Sequence, residues 1–176
     1  MPEVLFADEA IAVCLKPSGV LSQGDGEAAL PALLRAQLGG EIFPVHRLDQ
    51  PVGGVMVYAR TREAAAKLSA AMQTSAFSKR YLAVLDGAPA QPEGTLRDLL
   101  FFDRSRNKSF IVRRKRAGVK EAVLSYRALG SAEGLTLVSV RLQTGRTHQI
   151  RVQFASRGLP LLGDGKYGSR SNRCAV

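Results

Sequence analysis

Histidine and cysteine are scarce in this chain, with two of each, and neither pair stands at the spacing of a metal-ligand set. His148 has only one other histidine in the chain, His46, and no carboxylate at ligand spacing near it, so no metal site is expected. Cys14 and Cys174 lie near opposite ends, which fits a reducing compartment without an obligatory disulfide, and sequence separation alone leaves them free to meet in space. No apolar run approaches the roughly 18 residues that cross a bilayer. The N-terminus carries no basic segment leading into an apolar signal core, so a soluble cytosolic protein is expected. An amphipathic helix with basic flanks and bulky apolar anchors is also missing, which weighs against a membrane surface. There is no internal repeat, no low-complexity segment and no phosphate-binding glycine motif.

Carboxylates are few as well: 15 against 25 lysines and arginines, a net charge of +10 on 176 residues. That excess favours a polyanionic partner, nucleic acid first. The cations are unevenly spread. Arg104, Arg106, Lys108, Arg113, Arg114, Lys115 and Arg116 crowd into one stretch, with Lys120 just beyond. Such a run is commonly a solvated face. Here Phe110-Ile111-Val112 interrupts it and reads as a short strand between basic arms, a ribbon suited to following a phosphate backbone.

The length and an apolar fraction of 45% suit one globular domain with a real core. Val4 to Phe6 and Ile11 to Leu15 read as strands joined by a turn at Asp8-Glu9. Leu30, Leu33, Leu34 and Leu38 repeat at helical spacing, and Gly39-Gly40 stops that helix. Thr61 is placed to cap a helix running to about Met72. Tyr81 to Leu85, Val123 to Leu129 and Leu135 to Leu142 supply further strands. Thr147 to Ser156 reads as a helix with Ile150 and Phe154 turned to the core, and Gly158 beyond it as a stop. Helices scattered among strands, rather than alternating with them, predict an α+β fold: a mixed, largely antiparallel sheet with flanking helices.

One stretch, Pro44-Val45-His46-Arg47-Leu48-Asp49-Gln50-Pro51-Val52-Gly53-Gly54, sets an acid beside an arginine where regular helix is excluded. Pro51 removes a backbone donor and biases Gln50 toward extended structure, while the glycines permit unusual dihedrals. The apolar run Val55 to Ala59 follows as a buried strand, so Asp49 is expected on a shaped loop mounted on a rigid element. An aspartate in a loop commonly does no more than cap a turn.

Three further blocks change that balance. Lys79-Arg80-Tyr81-Leu82-Ala83 comes next, then Leu142-Gln143-Thr144-Gly145-Arg146-Thr147-His148-Gln149-Ile150-Arg151-Val152, then Gly163-Asp164-Gly165-Lys166-Tyr167-Gly168. In this order and spacing the four blocks resemble the RNA pseudouridine synthases of the ribosomal large-subunit, RluA-like, type, over about Val4 to Gly168. The resemblance implies isomerisation of a specific uridine in structured RNA, rRNA or tRNA, to pseudouridine, with no cofactor. It implies that Asp49 is the essential carboxylate, acting at ribose C1′ or base C6, that Arg151 pairs with it, and that Tyr81 packs against the flipped base. Base flipping is required because neither atom is accessible in a duplex. Arg47 and His46 beside the acid, the cations Arg113, Arg114 and Arg116, and Lys166 are the expected RNA contacts.

Two departures stand out. The family carries Thr-Ser-Gly after the aspartate where this chain has Val52-Gly53-Gly54, and a histidine where it has Gln153. Set against the resemblance, the chain is expected to be a single catalytic domain over 1–176 without an N-terminal RNA-binding module, and to lack a further strand beyond Val176 whose absence would uncover a sheet edge; a monomer is the default expectation. Two other functions fit parts of the pattern. A catalytically inactive RNA-binding protein would need the charge alone. A nucleoside hydrolase would need a second carboxyl group, for which Asp164 is the best candidate although it reads as structural.

Overall fold

The computed structural model describes residues 1–74 and 77–169. The chain forms two compact units that divide between Phe77 and Ser78. No helix among the described residues is long and apolar enough to cross a membrane.

In the first unit β1 (Glu3–Ala7) and β2 (Ile11–Lys16) form a hairpin, with the Asp8 carboxylate accepting from the N–H groups of Ala10 and Ile11 at 2.8 and 2.7 Å. β2 pairs in turn with β4 (Gly54–Ala59), and β4 with the two-residue β3 (Phe43–Pro44), so an antiparallel sheet runs β1-β2-β4-β3. Helix α1 (Leu30–Leu38) opens with Pro31 in its first turn, where a missing N–H costs nothing, and ends at Gly39. Its Leu30 and Leu34 bury against Cys14, Met56 and Tyr58. The opposite face of the sheet is less covered: Leu15 and Val55, register partners, are both exposed. The β4 strand thus alternates, where its unbroken apolar run suggests burial on both faces. Thr61 caps α2 (Arg62–Ala71) through a bond from the Ala64 N–H, as its sequence position predicts.

The second unit is a sheet in the order β5-β9-β8-β6-β7, antiparallel throughout, made from β5 (Lys79–Asp86), β6 (Glu93–Asp103), β7 (Lys108–Val112), β8 (Val119–Ala132) and β9 (Leu135–Leu142). Helix α3 (Gln149–Ala155) drives Phe154 into a core of Leu85, Leu96, Leu124, Val138 and Val140, while Val152 packs on Leu100 and Ala122. Beyond the helix, residues 160–162 run beside β5, where Asp86 donates to Pro160 and Leu162 to Val84. Residues 170–176, which include Cys174 and lead up to the strand expected beyond Val176, lie outside the described residues.

The α+β class and the antiparallel pairing agree with expectation, but the strands make two sheets rather than one. Period-two patterns identify strands and say nothing of which strands share hydrogen bonds. Strand β6 escapes such a pattern because its inward phase carries an acid: Asp98 stands between the buried Leu96 and Leu100 and binds the Gln153 amide at 2.7 Å and Arg157 at 3.0 Å.

Tyr58 is fully buried and its hydroxyl donates to the Ser22 carbonyl at 2.6 Å. Tyr58→Phe keeps the ring and leaves that carbonyl without its partner, so a loss of about 1–3 kcal/mol is expected in urea unfolding followed by circular dichroism. An unchanged midpoint would show that the bond contributes nothing.

Candidate active site

Asp49 sits on a loop that is bonded along its length by the segment following β2. Lys16 is the inward residue at the end of that strand, in phase with Ala12 and Cys14, and it is fully buried. Its ammonium donates to Pro17 O at 2.9 Å, Gln50 O at 3.0 Å and Val52 O at 2.7 Å, which uses all three of its protons. Burial pushes the Lys16 pKa below the usual lysine value, and the Asp49 charge pulls it back up. Around that centre Gln50 and Gly19 exchange two bonds, Gly19 N–H to Gln50 O and Gln50 Nε2 to Gly19 O, both at 2.9 Å. Ser18 Oγ donates to Pro51 O at 2.8 Å. Ser22 Oγ donates to Leu48 O at 2.8 Å and accepts from Leu48 N–H at 3.3 Å. Val52 N–H closes the turn on Asp49 O at 3.0 Å.

The loop's two ends are fixed differently. On the approach, His46 is half-buried and its Nε2 accepts from Val57 N–H at 3.1 Å, which anchors the loop to β4. On the exit Gly54 has φ 148°, a conformation that only glycine takes without strain. Asp49 itself is half-buried and Arg47 is exposed. Of the predicted residues, His46, Arg47 and Asp49 therefore share this loop in the first unit.

Tyr81, Arg151, Lys166 and the basic run belong to the second unit. Tyr81 lies in β5 opposite Val140 and packs on the core of that sheet. Helix α3 begins at Gln149, two residues later than the sequence pattern suggests, because His148 adopts the left-handed conformation (φ 53°) and turns inward. His148 is buried, with Nδ1 2.9 Å from the Tyr167 hydroxyl, rather than displayed on a basic helical face. Arg151 meets Asp164 through two bonds, Nε to Oδ2 at 2.7 Å and Nη2 to Oδ1 at 2.8 Å, and its guanidinium lies over the Tyr167 ring at 5.0 Å. With both oxygens engaged and its side chain 8% exposed, Asp164 is poorly placed to serve a hydrolase as second acid.

The basic run is split by its secondary structure. Arg113, Arg114, Lys115 and Arg116 are exposed in the turn between β7 and β8, with Arg116 over the Phe101 ring at 5.0 Å. Lys108 and Lys166 instead tie the end of β7 to the Gly163–Gly168 block: Lys108 Nζ donates to Lys166 O at 2.6 Å and Lys166 Nζ to Asn107 O at 3.0 Å. No cluster of three His, Cys, Asp or Glu side chains suited to a metal gathers among the described residues.

Sequence reasoning passes over Lys16, Ser18 and Ser22. A signal for Lys16 is nevertheless present: a lone cation in the inward phase of an apolar strand, just before a Pro-Ser-Gly turn, needs partners that only a neighbouring loop can supply. Lys16→Met strips three carbonyls of a shared donor, and a loss of about 2–5 kcal/mol is expected by urea denaturation. A loss under about 1 kcal/mol would mean that the loop is held by its other bonds.

A family model described as RNA pseudouridylate synthase matches residues 10–156. An uncharacterised RNA pseudouridine synthase of Bacillus subtilis is 36% identical over 96% of this chain and 58% of its own length. The ribosomal large subunit pseudouridine synthase D of Pseudomonas aeruginosa is 38% identical over 96% of this chain and 54% of its own. Among solved structures, human RNA pseudouridylate synthase domain containing 4 superposes with a TM-score of 0.79 at 27% identity, covering 98% of this chain and 71% of that one. The chain thus spans little more than half the length of these two curated relatives. With most of the sequence inside the match and the Asp49 loop and Arg151 helix both within it, the chain belongs to the RNA pseudouridylate synthase family.

Proposed function

We propose that this chain isomerises a specific uridine in structured RNA, rRNA or tRNA, to pseudouridine, and that both units serve a single catalytic domain. The observation that carries the reading is the Asp49 loop, an acid whose flanking backbone is bonded on both sides to a buried lysine and two serines. Such fixing suits a carboxylate that must meet one reacting atom, and a loop that only capped a turn would not need it.

In this reading Asp49 is the nucleophilic or proton-handling carboxylate, and Arg151 is the cation that keeps it ionised and aims its oxygens. Tyr81 offers an aromatic face to the flipped base, worth about 1–3 kcal/mol of stacking. Arg47 occupies the space the base vacates or holds the neighbouring phosphate, with His46 and Lys166 beside the RNA path. The same base is released and recaptured, so the reaction calls for no external hydride, methyl donor or nucleotide. Relatives named for the ribosomal large subunit support rRNA as a substrate class. We assign the protein to the cytoplasm as a monomer that carries its own RNA contacts.

Asp49→Asn preserves shape and removes the anion. Pseudouridine formation in transcripts is expected to fall below detection while RNA affinity and the circular dichroism spectrum hold; activity within about tenfold of the parent would refute the assignment. The charge reading makes a separate prediction. Replacing Arg113, Arg114 and Arg116 with glutamine should flatten the slope of log affinity against log salt by about two to three, near 0.7–0.9 for each phosphate no longer neutralised. An unchanged slope would return that turn to an ordinary solvated face.

A further inference from the structure

Arg151 is held more tightly than a solvent-facing helical arginine. Asp164 grips it by both oxygens, at 2.7 and 2.8 Å, and the two side chains are 18% and 8% exposed. The Tyr167 ring lies 5.0 Å from the guanidinium and 5.0 Å from the Lys108 ammonium, so two cations share one aromatic ring. That ring is itself fixed. Its hydroxyl accepts from Ser109 N–H at 2.8 Å and meets His148 Nδ1 at 2.9 Å. Asp164 is fixed as well, since its N–H donates to Leu161 O and its carbonyl accepts from Tyr167 N–H and Ser169 N–H, at 3.0 to 3.1 Å.

A carboxylate fork alone sets the plane of a guanidinium, and a ring beneath it leaves one direction for the remaining edge. We infer that Asp164 is a positioning residue, which acts by orienting Arg151 for its partnership with Asp49 and never touches the substrate. The inference rests on the reading above in which Arg151 serves Asp49. It also gives the Gly163-Asp164-Gly165-Lys166-Tyr167-Gly168 block a role, since the turn presents its acid and its ring to the same arginine.

The alternative is that Asp164 only ties the turn to α3, and a double-mutant cycle separates the two. The parent, Asp164→Asn, Arg151→Met and the double variant are compared by single-turnover pseudouridine formation on one RNA, with KM and melting temperature measured for each. Asp164→Asn is expected to lower kcat about 10- to 100-fold with KM within about twofold, the scale of a misplaced catalytic group. In the Arg151→Met background the same change is expected to cost less than about twofold, because an orienting residue has nothing left to orient. Asp164→Glu keeps the charge with a longer reach; kcat between those of the parent and Asp164→Asn is expected, and it carries the test if the asparagine variant does not fold. Independent, multiplying losses in the cycle, or a glutamate variant with parental kcat, would overturn the positioning role and leave the Asp49 and Arg151 reading intact. An Arg151→Met variant with near-parental kcat would instead refute that reading and take this inference with it.

Discussion

The Lys16 ammonium is the interaction on which the candidate site depends. Three carbonyls from two segments converge on it, two of them flanking Pro51, and a buried cation without them would be untenable. The constraint works in both directions. Lys16 needs the loop to satisfy its protons, and the loop needs Lys16 to bring Gln50 O and Val52 O to one point, which bends the chain just after Asp49. Since Lys16 ends β2 and β2 is the interior strand that pairs with both β1 and β4, the loop inherits the rigidity of the sheet.

The departures from the family pattern become intelligible in these terms. Val52-Gly53-Gly54 supplies no hydroxyl, yet most of the bonds that shape this loop use its backbone, with side chains arriving from Lys16, Ser18 and Ser22. A valine at 52 therefore forfeits nothing in that set, for only its carbonyl and N–H take part. Gln153, in the place of a histidine, is fully buried and donates to the Asp98 carboxylate, which Arg157 also holds. An amide N–H meets that acid without bringing a second charge that could titrate.

What the sequence discloses and what it hides divide along one physical line. Local signals are legible: the Thr61 cap, the Gly39 stop, the β1–β2 turn and the Phe154 face of α3 each depend on residues within a few positions of one another. The family is legible in the four blocks, and Asp49 does stand on a shaped loop. What stays hidden are pairings set by the folded chain: the split into two sheets, the β6 strand with an inward acid, the Arg151–Asp164 fork, and the inward turn of His148. In the last three a polar side chain finds its partner at a distance in sequence, 13 residues on for Arg151 and 55 away for Gln153.

The same line separates the cations of a strongly basic protein into two kinds. Lys16, Lys108 and Arg151 are matched by carbonyls, a carboxylate or an aromatic ring, so much of their charge goes into holding the fold and the site. Arg113 to Arg116 sit together and exposed on one turn, where four like charges repel one another at a standing cost to the free protein. Folding offers them little in return beyond the stacking of Arg116 on Phe101. A polyanion that lies across the turn relieves the repulsion and releases counterions in the same step, whereas the matched cations would have to surrender good partners to do so. Net charge thus overstates the surface open to a polyanion, and the β7–β8 turn is where exposed, unmatched cations crowd together.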